Sequence, residues 1–135
     1  MAFPVFDGLE ESRVTGREIA TIVGVTPPTV SKWRTGRVRV PAATLAFLTL
    51  LLASWLEELE ELKRAQQAAG RSADWIDEHL EEARRRLSEQ EAYNADLPAA
   101  AIIQGVRMFQ SWWNANAAQM RHAVLGREGA LRGLA

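Results

Sequence analysis

Cysteine is absent from the 135 residues, which excludes a disulfide framework and thiolate zinc sites and fits a reducing cytosol. Histidine occurs only twice. His79 and His122 have no partners at metal-ligand or catalytic spacing, so both are expected to be structural. Asp74, Asp77, Glu78, Glu81 and Glu82 follow one another on helical turns, yet no Glu-x-x-His pair accompanies them, and such a run reads as a solvated face; no metal or cofactor is expected. Nucleophile motifs and phosphate-binding glycine loops are missing too, so the chain is not expected to be an enzyme. The first residues lack a cationic segment followed by an apolar run, so no secretory leader is expected. Val40 to Leu56 carries no charge, but it is shorter than the roughly 20 residues a bilayer requires and is interrupted by Thr44, Thr49 and Ser54. No membrane span is expected, and the expected location is the cytoplasm.

Net charge is nearly absent as well, at −1, but the balance is local. From Ser12 to Thr44 six cations (Arg13, Arg17, Lys32, Arg34, Arg37 and Arg39) stand against Glu18 alone, giving that stretch +5, while the residues before it and those after it carry −3 each. One basic surface on an otherwise acidic chain is the pattern of a protein that presents a single face to phosphates.

The basic stretch has a definite local grammar. Thr15 lies three residues before Glu18, the spacing at which the hydroxyl caps the helix backbone and the carboxylate returns to the cap residue's N–H. Ile19, Ala20 and Val23 then fall on one helical face, with small Ala20 where a second helix has to cross closely, and Gly24 stands where the chain leaves the helix with positive φ. Val25 places an apolar side chain in the turn, Thr26 is suited to cap the next helix, and Pro27 occupies its first position, where a missing N–H costs nothing. A second helix is expected from Pro27 to Thr35, ended by Gly36. Val30 and Trp33 form its inner face, which leaves Pro28, Thr29, Ser31, Lys32 and Arg34 pointing outward.

This segment resembles the Cro and phage-repressor (XRE-like) helix-turn-helix family, whose pattern is matched by Glu18, Ala20, Gly24, Val25, Thr29, Val30, Trp33 and Gly36 over the N-terminal third of the chain. The resemblance implies that the helix Pro27–Thr35 lies in a DNA major groove, with Pro27, Pro28, Thr29 and Lys32 at base edges. Arg17, Thr26, Arg34, Arg37 and Arg39 are then the expected phosphate contacts, which position the protein without reading sequence. Two departures stand out. The family often has a phosphate-anchoring Gln at the start of the first motif helix, where this chain has Gly16. It also has a full helix before the motif, whereas Phe3 to Arg13 allows a short helix at most, with Phe3, Val5, Phe6 and Leu9 as candidates to plug the core.

The remainder reads as three long helices. Between Ala42 and Ala69 the residues Leu45, Leu48, Leu52, Trp55, Leu59, Leu62, Gln66 and Ala69 recur at spacings of three and four, a heptad seam. Its first half is apolar nearly all round and has to be covered on several sides; its second half has an acidic face on which Glu60 is spaced to pair with Arg64. After Gly70, a helix from about Ala73 to Tyr93 carries Ile76, Leu80, Ala83 and Leu87, with Glu81–Arg85 and Glu82–Arg86 spaced to pair outside. A third, from about Ala99 to Leu125 and closed by Gly126, carries Ile102, Val106, Phe109, Trp113, Met120 and Val124.

The expected fold is therefore all-α. A helix-turn-helix domain (1–44) precedes a region of long antiparallel helices (45–125) and a flexible tail (126–135). The apolar stripes are wide enough to predict a homodimer joined through Leu52, Trp55, Leu59, Leu62, Phe109, Trp112 and Trp113, suited to paired half-sites on double-stranded DNA. Phe109, Trp112 and Trp113 are also candidates to line a small-molecule pocket, although core or interface anchoring is the commoner use of such residues. The expected function is a sequence-specific transcriptional regulator of bacterial or phage type. The alternative is an adaptor whose helical region binds a second protein such as polymerase, a toxin or another regulator.

Overall fold

The computed structural model describes residues 3–12 and 14–132, with side chains to residue 119. Those residues form helices only, in the order α1 (Pro4–Glu11), α2 (Gly16–Val23), α3 (Pro27–Arg34), α4 (Ala42–Ala68), α5 (Asp74–Asn94) and α6 (Ala99–Arg132). The all-α expectation holds.

Helix α4 is the axis. Its buried residues include Leu45, Leu48, Leu52, Trp55, Leu59, Leu62 and Gln66, the heptad seam without Ala69, which is exposed. The first half is buried almost all round because α6 packs along one side, α5 along another, and α1 fills the angle between α4 and α5. By length and composition alone α4 could cross a bilayer, but its apolar face is occupied by the other helices. It ends where Gly70 takes φ 73°, with the Gly70 and Arg71 amides donating to the carbonyls of Gln67 and Gln66 at 3.0 and 2.9 Å. A residue with a Cβ would be strained at that φ.

Two expectations change here. Leu52, Trp55, Leu59 and Leu62 cannot join two copies: they are 0–7% exposed within a single chain, because the other helices of the same chain already cover the seam. The division at residue 44 is also not a gap in packing, since Val30, Trp33 and Val40 share one apolar cluster with Leu48, Leu59 and Leu80. In addition, α6 runs through Gly126 to Arg132. A glycine costs a helix interior about 1 kcal/mol but does not oblige it to stop.

Polar groups tie the helices in register. The buried Gln90 of α5 accepts the Val5 amide through Oε1 (3.1 Å) and donates through Nε2 to Asn94 Oδ1 (2.9 Å). Asn94 Nδ2 donates to the Thr49 hydroxyl (2.8 Å), which donates to the Leu45 carbonyl (2.7 Å). This chain satisfies an α1 amide that has no partner within its own helix. Outside, Lys63 pairs with Asp77 at 2.5 Å and Glu60 pairs with Arg84, both joining α4 to α5, while Arg86 reaches Asp7 of α1 at 3.8 Å. Glu60 therefore reaches across to α5 rather than along its own helix to Arg64. Arg86 pairs with Glu82 as expected, whereas Arg85 engages Glu82 and Glu89. The hydrogen bond from Arg85 holds the Glu82 carboxyl below its ordinary pKa, and Arg85 is raised in turn.

Candidate nucleic-acid interface

The site is built on α2 and α3. The predicted capping box is present: Thr15 Oγ1 accepts the Glu18 amide at 3.1 Å and Glu18 Oε1 accepts the Thr15 amide at 3.2 Å. Thr15→Ala should therefore lower stability by about 1 kcal/mol, read as a reduced urea midpoint; an unchanged midpoint would mean that the cap contributes nothing. Ile19 and Ala20 are buried, and Gly16 sits at the crossing with α3, its Cβ position 3.7 Å from Val30 Cγ1 and 3.8 Å from Arg34 Nη1. The chain leaves α2 at Gly24 with φ 76°, where the amides of residues 24 and 25 both donate to the Ala20 carbonyl.

Helix α3 is anchored through Val30 and Trp33, 0% and 4% exposed, so its opposite side faces solvent. Pro27, Pro28, Ser31 and Lys32 are exposed there and Thr29 is half-buried. Thr26 stands at the N-cap position but does not cap through its side chain. Instead its carbonyl accepts the amides of Thr29 (3.0 Å) and Val30 (3.3 Å), and its hydroxyl bonds the Thr29 hydroxyl (3.0 Å). The reason is the double proline. With no N–H at the first two helical positions, the first available amide is already taken by the turn. The leading end of α3 thus presents no unpaired amide, and anything that reads this face does so through side chains.

The cations divide into two sets. Arg34 donates to Glu10 of α1 at 2.5 Å, so the carboxylate competes for a guanidinium expected to contact phosphate, and Arg34 serves as a strut between α3 and α1. Arg17, Lys32, Arg37 and Arg39 are exposed, and no carboxylate among the described residues pairs with them. The loop carrying Arg37 and Arg39 is held at both ends. Gly36 takes φ 76°, the Arg37 amide donates to the Lys32 carbonyl at 2.9 Å, and Val40 is buried. Between the two arginines Val38 is 43% exposed, an apolar tip that the sequence reading passed over; its alternation with buried Val40 was the available signal. No three His, Asp or Glu side chains among the described residues gather to hold a metal ion.

Comparison with protein-family models, with curated proteins and with solved structures finds no match to this chain.

On α6 the expected aromatic set forms one cluster, with the Phe109 ring 6.3 Å from that of Trp112. Phe109 stacks on Trp113 (5.8 Å, 25°), and Trp112 and Phe109 each meet Phe47 of α4 edge to face, at 6.2 and 6.0 Å. All three are half-buried, and Ile103 on the outer side is 52% exposed. Met120 and Val124 lie outside the described side chains.

Proposed function

We propose that the protein is a sequence-specific DNA-binding regulator that lays α3 in the major groove. The observation that carries this reading is the outer face of α3 and its following loop, where Lys32, Arg37 and Arg39 stand exposed with no carboxylate partner among the described residues, on a backbone pinned by left-handed Gly24 and Gly36 and by buried Val30, Trp33 and Val40. Such rigidity matters because base readout needs donors held in place before contact. Lys32 is suited to donate to guanine O6 and N7, while the proline rings and the Thr29 methyl offer an apolar surface suited to a thymine methyl. Arg17, Arg37 and Arg39 flank that face and suit phosphates. In this reading the protein acts as a homodimer on paired half-sites, joined through α6 around exposed Ile103 and the half-buried rings of Phe109 and Trp113, since the α4 seam is consumed within the chain.

The test is selection of DNA from a random library by the full-length protein, with two variants in parallel. Lys32→Ala should lose about 1 to 3 kcal/mol of discrimination at one base position, whereas Arg37→Ala should weaken all sequences alike and reduce the salt slope of binding by about one. An enriched inverted repeat is the expected product. Equal effects of the two variants on specificity would overturn the division of roles, and no enrichment at any salt concentration would overturn the reading.

A further inference from the structure

A cleft of about 600 Å³ opens between α2, α4 and α6. Its floor is Leu51 and Trp55 of α4, its walls are Ile22 of α2 and Trp112 of α6, and Arg17 and Asn116 stand at its rim. We infer that this cleft binds a small aromatic carboxylic acid, and that the bound acid weakens DNA binding by engaging Arg17; the second half of the inference rests on the DNA-binding reading above.

The chemistry of the lining selects that class. The volume is within the range usual for small-molecule sites, and an apolar lining with a few convergent polar groups is their usual composition. Two indoles favour a flat ring. Trp112 is held in place by its edge contact with Phe47, and its carbonyl accepts the Asn116 side-chain amide at 2.8 Å. At the rim, Arg17 is exposed with no carboxylate partner among the described residues, and a guanidinium pairs with a carboxylate through two parallel hydrogen bonds. Glu18 also reaches the cleft, but its carboxylate accepts from both the amide and the hydroxyl of Thr15. One cation beside an engaged anion suits a monoanion and disfavours a phosphate dianion.

Position supplies the regulation. Arg17 belongs to the first turn of α2 and is one of the proposed phosphate contacts, so a ligand carboxylate and a DNA phosphate would compete for the same guanidinium. Because such coupling is reciprocal, DNA must weaken acid binding by the factor by which acid weakens DNA binding.

The experiment titrates the full-length protein with 1-naphthaleneacetate and with uncharged 1-naphthaleneacetamide, following tryptophan fluorescence and equilibrium dialysis. The acid should saturate one site per chain and bind at least about tenfold more tightly than the amide, the size of one charge-assisted hydrogen bond. Arg17→Ala, a change at an exposed position, should abolish that preference while the unfolding midpoint stays put. The acid should also weaken binding to selected DNA in the parent protein but not in the variant. Absence of saturable binding by either compound up to about 1 mM, or a preference for the acid that survives Arg17→Ala, would overturn the site. Saturable acid binding by a protein that takes up no DNA would keep the site and overturn the DNA-binding reading instead.

Discussion

Gly105→Leu is expected to destabilise the protein by about 3 kcal/mol or more, with loss of the tertiary signal from Trp112. A Cβ at position 105 would lie 2.5 Å from the Ala46 Cβ, 2.7 Å from the Ala43 carbonyl oxygen and 3.1 Å from the Phe47 amide nitrogen. Two of these are backbone atoms of α4, which cannot rotate aside, so α6 has to move away and the edge contacts of Phe47 with Phe109 and Trp112 open with it. Overpacking of this kind typically costs about 1 to 3 kcal/mol, and more where the backbone itself must shift. Gly105→Ala is the sharper probe. On an exposed helix surface that change would stabilise by about 1 kcal/mol, whereas here it should destabilise. A gain in the chemical-denaturation midpoint would show that α4 and α6 do not approach so closely.

Gln90→Leu is the second large effect, an expected loss of about 2 to 4 kcal/mol. Leucine retains much of the volume but leaves the Val5 amide and Asn94 Oδ1 without the partners they have at 3.1 and 2.9 Å. Each buried polar group left unpaired costs about 1 to 3 kcal/mol, against a total stability of about 5 to 15 kcal/mol for a domain of this kind. The loss should appear first in α1, because Gln90 is the residue that satisfies its leading amide. Hydrogen exchange should show α1 opening faster in the variant while the centre of α4 keeps its protection. Equal acceleration in both would show that Gln90 contributes only to global packing, and an unchanged stability would remove the network from the account.

These two positions also show why sequence reading stopped where it did. The stripe Ile76, Leu80, Ala83, Leu87 was legible as an apolar period, and its next member is Gln90; being polar, it broke the pattern although it is fully buried. Gly105 left no mark in an apolar count, yet an isolated glycine inside a long helical pattern is itself a sign of close approach. Among the candidate site residues, Pro27, Pro28 and Lys32 are exposed and Thr29 is half-buried, an arrangement that follows from the buried anchors Val30 and Trp33 within one helical turn. Arg34 looked equivalent to them. Its partner Glu10 is 24 residues earlier, beyond the reach of any local pattern.

By itself, the sequence determined whatever is decided within about one helical turn. The capping box at Thr15 and Glu18, the left-handed exits at Gly24, Gly36 and Gly70, the proline start of α3 and the apolar periods of the long helices all depend on neighbours a few residues apart, whose separation in space is set by backbone geometry. Only the tertiary structure decided which surfaces meet. The leucine seam of α4 closed within one chain, Glu60 turned to Arg84, Trp112 of α6 came to meet both Phe47 and the cleft beside α2, and Gln90 became the link between α1 and α4. Each of those outcomes depends on residues far apart in the chain, brought together by the competition of several apolar faces for one core, and no local spacing encodes the winner of that competition.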